Sequence, residues 1–287
     1  MFAIMKKIFF FFYVMSISIT MVAQDHLNIM TFNIRYNNPG DSMNAWPNRI
    51  DKASSQILFH EAHIVGVQEA LHSQIQDLDR VLTKYKYVGV GRDDGKQQGE
   101  YSAIFFDTTR LQALQSQTFW LSQTPQVAGS KSWDAAITRI VTWAKFRDKK
   151  TKKEFYVFNT HFDHIGQVAR AESAKLLLRY ANEIAGKIPF IVTGDFNAYP
   201  GQEPIQILTN SKDALHLVDT KSVSASPHYG PSGTFNGFQS KESSNMPIDY
   251  ILIKHGVRVL QHATLSETWE GRFSSDHFPV LSKLVIQ

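Results

Sequence analysis

The 287-residue chain contains no cysteine. That excludes disulfides, thiolate metal sites, a cysteine nucleophile and a lipid anchor built on cysteine. Strong charge of either sign is also missing. Thirty Lys and Arg stand against 26 Asp and Glu. If the N-terminal leader described below is removed, Lys6 and Lys7 go with it, and 28 basic residues face 26 acidic ones, a net of +2. Sequence-independent nucleic-acid binding needs several phosphate contacts at once, and such a balance does not advertise them. No Pro-, Gly- or Ser-rich linker and no repeat divides the chain. No apolar run reaches the ~20 residues of a membrane-spanning helix. The longest, Ile8 to Ala23, has 16 residues with Ser16, Ser18 and Thr20 among them.

That run, preceded by Lys6 and Lys7 and followed by Gln24, has the parts of an export signal. Residues 1–24 are therefore expected to be a cleaved leader and 25–287 the working domain. The protein is then exported, periplasmic or extracellular, with no membrane anchor after processing, and monomeric.

What is present is 43% hydrophobic residues, enough for a sizeable core. Short β-rich runs alternate with helical ones. Strands are expected at 27–35, 64–70, 86–91, 101–107, 136–148, 154–163, 188–194, 248–254, 257–265 and 280–286. Helices are expected at 49–62, 73–85, 171–186, where Gly186 provides the stop, and 203–210. The lysines of "KKTKK" read as a hairpin tip. The pattern is one α/β domain with too many strands for a single simple sheet. Loops 122–134 and 221–247 are long enough to imply a role.

Several strands end in polar residues that a structural protein rarely places there. "MTFNIR" delivers Asn33 and "IVGVQEA" delivers Glu69. "FYVFNTHFDH" delivers Asn159, His161 and Asp163 on one face by the period of two. "VTGDFNAYPG" delivers Asp195 and Asn197, "PIDYILI" opens on Asp249, and "SSDHFPV" supplies Asp276 and His277. Buried acids and amides need partners. The set is carboxylates, amides and imidazoles. Carboxylate oxygens suit a hard cation such as Mg²⁺ or Mn²⁺. Histidines beside acids suit proton transfer and stabilisation of a charged oxygen. Together they are a toolkit for attack of water on a phosphate ester. "HFDH" taken alone, with His164, also reads as a zinc site.

The ordered set "TFNIR", "VQE", "NTHFDH", "GDFN", "IDYI", "SDH" resembles the endonuclease/exonuclease/phosphatase superfamily, over essentially all of residues 27–286. "TFWLSQTP" and "GSKSWDAAITRIVTWAKF" resemble its secreted bacterial members. The resemblance implies a four-layer α/β sandwich, with two mixed β-sheets face to face and helices outside. It implies a phosphoesterase that uses Mg²⁺, or alternatively Mn²⁺. By motif, Glu69 binds the metal, Asn33 supports that site and Asp276 lies beside it. His277 contacts the scissile phosphate and Asp249 orients it. Asp195 faces the attacking water, and Asn197 donates to a phosphate oxygen. His161 is a second active-site histidine backed by Glu100, with Tyr101 the alternative partner.

Asn159, Asp163, Arg170 and Trp133 are expected to bind substrate. Arg139, like Arg170, could meet phosphate or equally be a surface or ion-paired residue; Trp46 and Arg49 could form a substrate rim, with core packing the alternative for each tryptophan. Phosphodiesters are the expected substrates, DNA or RNA first. The alternatives are a lipid or small-molecule phosphodiesterase or phosphatase of the same fold, and a non-catalytic binding module. "FNGF" at 235–238 is the one short candidate for membrane insertion, and no basic cluster for a terminal phosphate is visible.

Overall fold

The computed structural model describes residues 25–239 and 244–287. The expected leader, 1–24, lies outside them, as do four residues of the 221–247 loop. Among the described residues no helix is long and apolar enough to cross a membrane.

The first sheet is built from β1 (Leu27–Asn33), β2 (Ile64–Gln68), β3 (Tyr85–Val88), β4 (Ile104–Asp107), β11 (Val257–Thr264) and β12 (Val280–Ile286), in the order β11-β12-β1-β2-β4-β3. The second holds β5 (Leu111–Trp120), β6 (Ile140–Asp148), β7 (Glu154–His161), β8 (Phe190–Asp195), β9 (Val218–Asp219) and β10 (Asp249–Lys254), in the order β5-β6-β7-β8-β10-β9. In the centre of each sheet two strands run parallel, β1 with β2 and β7 with β8. Their neighbours are antiparallel, so both sheets are mixed.

Three apolar clusters define four layers. Between the sheets lie Ile29, Ile64, Phe146, Val157, Ile191 and Ile251 among others. Met30, Phe32, Val65 and Val67 face outward against α1 (Ile50–Phe59) and α2 (His72–Val81). Phe158, Phe190 and Val192 face α3 (Gln167–Ala185) and α4 (Glu203–Thr209). Strands buried on both faces read as continuous apolar runs, which is why they were legible.

Two departures from the expected elements have physical causes. β5 was not foreseen. Its middle, "ALQSQ", is largely exposed and polar, and it is an edge strand with a bulge between Ala113 and Gln115. Such edges discourage unwanted pairing but lack the alternation that marks a strand. α3 starts four residues before the expected position. Asp134, more than thirty residues upstream, caps it by accepting from the Val168 and Ala169 amides at 3.2 and 2.6 Å.

The sheets are also joined by polar groups. Asn159, fully buried on β7, donates to the carbonyls of Val67 and Ala103 in the opposite sheet, both at 2.9 Å. Its carbonyl accepts from Gln68 at 2.7 Å and Thr193 at 3.0 Å. All four bonds the amide can make are used. Gly66 leaves the room: a Cβ there would stand 2.2 Å from the Thr193 hydroxyl. Asn159 is thus a tie between sheets, which corrects its expected place in substrate binding.

Asn159→Leu preserves volume but strands carbonyls and the Gln68 amide. Unfolding in urea is expected to show a loss of about 2–4 kcal/mol. A loss under ~0.5 kcal/mol would mean that the tie carries no weight.

Candidate active site

The carboxyl ends of β1, β2, β7 and β8 converge, and β10 opens beside them. Strand register places His161, Asp195 and Asp249 in one row, because His161 pairs with Asp195 across β7–β8 and Asp195 with Asp249 across β8–β10. Just beyond the strand ends, Arg35, Glu69 and Asn197 adopt positive φ, at 57, 63 and 47°. Left-handed conformations are costly for residues other than Gly and concentrate where a side chain must be re-aimed. All three line a pocket of about 560 Å³ with Glu100, Arg139, His161, His164, Asp195, Phe235, Asp276 and His277 among its walls.

Asn33 is wholly buried between two carboxylates. Its Nδ2 donates to Glu69 Oε1 at 3.0 Å and to Asp195 Oδ2 at 2.9 Å. Its Oδ1 accepts from the Arg35 amide. It is a clamp that spaces the two acids. Glu69 also accepts from the Tyr36 amide at 3.1 Å. Asp276 faces the same space, and the Arg35 guanidinium lies 3.9 Å from Glu69 and 3.8 Å from Asp276 while held by Asp41 at 3.0 Å. Burial, with the charge of Glu69 adding to it, pushes the Asp276 pKa up. Arg35 is paired with Asp41, so Glu69 and Asp276 present carboxylate oxygens to the pocket without a close ion pair of their own. That donor set fits a hard divalent cation.

Asp195, Asp249 and His277 also lie within 4.8 Å of one another. The contact between His277 and Asp249 makes them a proton-holding group, and the same atoms are close enough together to share a metal ion. His277 Nδ1 is 2.9 Å from Asp249 Oδ2, and its Nε2 is 3.7 Å from Asp195. Burial alone would lower the His277 pKa, but Asp249 and Asp195 overcome it and hold the group well above the usual imidazole range. The expected Asp249–His277 pair is present. Asp195 is pushed up to about 7 by burial and by the charge of Asp249.

The second histidine differs. His161 Nε2 is 3.0 Å from Asn197 Nδ2 and 3.5 Å from Asp195. Burial, with Arg139 and Arg92 nearby, drives its pKa well below the ordinary value. Glu100, expected behind His161, makes no direct hydrogen bond to it, although both line one small cavity. Glu100 is taken by Arg92 in a two-point bridge at 2.6 and 3.1 Å, and the Tyr101 hydroxyl lies on His72 and on the Lys96 carbonyl. Nor does Asn197 offer its amide hydrogens to a phosphate. Its Nδ2 is shared between His161 and the Phe162 carbonyl, 3.0 Å away.

Three further expectations are corrected. Asp163 accepts four backbone amides, from Ala136, Ile137, Ile165 and Gly166, and so ties the strap at 134–137 to the start of α3. This also removes the zinc reading of "HFDH". Arg170 donates to the Asp163 carbonyl. Trp133 lies in a separate cleft with Tyr180 and Arg179. Trp46 and Arg49 are buried, Arg49 on the carbonyls of Ile34 and Ser274. Sequence reasoning did not assign Arg35 or His164 to the pocket wall, although "TFNIR" and "NTHFDH" end on them, because where they point depends on the backbone turns just beyond β1 and β7.

A model of the endonuclease/exonuclease/phosphatase family matches residues 30–277. The chain belongs to this family. A family structure from Bacteroides vulgatus is 40% identical, with a TM-score of 0.86, over 92% of this chain and all of that one. A Bacteroides thetaiotaomicron structure described as a mannosyl-6-phosphatase is 36% identical, with a TM-score of 0.85, over 90% of this chain and 99% of that one. Nocturnin of Drosophila melanogaster is 26% identical over 185 residues, 60% of this chain but only 27% of its own length. Family membership makes the chain a hydrolase acting on phosphate esters.

The raised Asp195 pKa has a pH signature. A carboxyl whose folded pKa exceeds its unfolded value contributes stability at low pH and loses it as pH rises through the folded value. Asp195→Asn is therefore expected to gain stability relative to the parent as pH rises from about 4 to 7, by on the order of 1–3 kcal/mol, with a constant difference above that, in metal-free protein. A difference flat with pH in thermal unfolding would overturn this assignment.

Proposed function

We propose that this protein is a divalent-cation-dependent phosphatase that hydrolyses small phosphate monoesters by direct attack of water. The observation that carries the reading is the convergence of two carboxylates, Glu69 and Asp276, with His277 paired to Asp249 and with Asp195 in one pocket. Glu69 and Asp276 would hold Mg²⁺ or Mn²⁺. When bound, the cation supplies Lewis-acid charge to the phosphoryl oxygens. Asp195, with a pKa near 7, is suited to accept the proton of the attacking water. His277, kept charged and oriented by Asp249, meets the negative charge that develops on phosphoryl oxygen.

Substrate size and charge favour a monoester such as a sugar phosphate over the nucleic acid expected first. The pocket volume falls in the range of small-molecule sites. Arg139 lines the pocket with His164 and with Arg35, which is paired with Asp41, a grouping that was not visible as a cluster in the sequence. The relative described as a mannosyl-6-phosphatase supports the same class. Membrane lipids fit less well. Phe235 of "FNGF" turns in upon the His277 ring, 5.0 Å away, and Phe238 packs over Arg49.

The test is a panel of mannose 6-phosphate, other sugar phosphates, a nucleotide, a diester, single-stranded DNA, RNA and sphingomyelin, each with Mg²⁺, Mn²⁺ and EDTA. Monoesters should be turned over fastest and EDTA should abolish turnover. Glu69→Gln should lose ~10²–10⁴-fold in kcat. Full activity in EDTA would sink the metal, and faster cleavage of DNA or RNA would restore the nuclease reading.

We also propose that the chain is exported with loss of residues 1–24. The intact mass of the native protein should correspond to a start near Gln24 or Asp25. A mass that includes Lys6 and Lys7 would exclude this.

A further inference from the structure

The Nδ1 nitrogen of His161, turned from Asn197, is buried and has no hydrogen-bond partner in the protein. The same holds for Nε and Nη1 of Arg139 and for Nε of Arg92. These three residues, with Glu100, Tyr101, Ser102 and Ile140, enclose a cavity of about 10 Å³, the room of one water. Buried polar atoms without partners are uncommon enough to require an account.

The chemistry of the orphans is fixed from the opposite side of the ring. The Phe162 carbonyl can only accept, so it must face the NH₂ end of the Asn197 amide. The same nitrogen then donates to His161 Nε2. A neutral imidazole that accepts at Nε2 carries its proton on Nδ1. Guanidinium nitrogens only donate. All four orphans are therefore donors, and the residues that carry them line this space together with the Glu100 carboxylate; Nε of Arg139 and of Arg92 also lie 3.8 Å from Asp163 and Asp93, respectively. Glu100 accepts two bonds from Arg92 and still has lone pairs to spare.

We propose that one enclosed water accepts from His161 Nδ1–H and from Arg139 and donates to Glu100, and that this relay locks His161 as the Nδ1–H tautomer whose Nε2 orients Asn197. His161 is then a positioning residue. It holds the Asn197 amide with Oδ1 turned to the pocket, as an acceptor for the attacking water or a substrate hydroxyl. Glu100 acts two links further back, with Arg92 and Arg139 holding its charge in place. The catalytic part of this inference rests on the phosphoesterase reading; the tautomer does not.

The tautomer is read by ¹⁵N NMR of the full chain labelled at histidine. His161 is expected as the neutral Nδ1–H form at neutral pH, and Glu100→Gln should mix the two tautomers. An Nε2–H or doubly protonated His161 in the unmodified protein would overturn the proposal, whatever the substrate panel shows. The kinetic arm uses the best monoester of that panel. His161→Gln, which can place an acceptor where Nε2 lies, should retain kcat within ~10-fold. His161→Asn, which cannot, should lose ~10²-fold or more, with KM unchanged in both. Equal losses in the two variants would mean that His161 acts on the phosphate itself. A water peak within hydrogen-bond reach of Glu100, Arg139 and His161 in a crystal structure would support the relay, and its absence at high resolution would refute it. Failure of every substrate with a correct tautomer would count against the phosphatase reading alone.

Discussion

The geometry of the site depends on the hydrogen bonds that Asn159 makes across the space between the sheets. Apolar packing alone would let two sheets slide, since dispersion is not directional. A buried amide that must satisfy four partners cannot slide without losing them. Gln68 and Thr193, which bind Asn159, stand immediately before Glu69 and two residues before Asp195. The spacing of the two carboxylates is therefore inherited from a layer one or two residues beneath them. Asn33 completes this from above by donating to both acids.

On that frame the protein sets two imidazoles to opposite charge states. His277 lies among carboxylates and keeps its proton. His161 lies among guanidinium groups and stays neutral. Both are almost completely buried, so the difference comes from neighbours and not from exposure. One can respond to charge on a phosphate, while the other can accept a hydrogen bond. A pair of identical residues thus yields two functions from one row of strand ends.

The layered fold and the principal acids were legible in the sequence because they rest on local signals. Doubly buried strands show as apolar runs, and polar residues at their ends stand out against them. The Asp249–His277 pair followed from motif order. What was not legible involves contacts between distant segments. Asp163 and Asn159 share the strand-face pattern of His161, yet one caps a strap and the other ties two sheets. Period two says which face a side chain takes, not what waits there. Glu100 was placed near the right histidine, but its capture by Arg92 depends on the fold of the 92–100 loop. β5 escaped because a polar edge strand has little reason to alternate.

The strap at 134–137 divides the pocket wall from what lies outside it. Asp134 and Asp163 pin the strap to α3, while residues 122–132 close on themselves through Ser122, Ser130 and Ser132. The outer loop shares no hydrogen bond with Glu69, Asp195 or His277. Its sequence and length can therefore drift without disturbing the groups that would perform the chemistry. A shortened or substituted loop should leave the positions of those groups as they are.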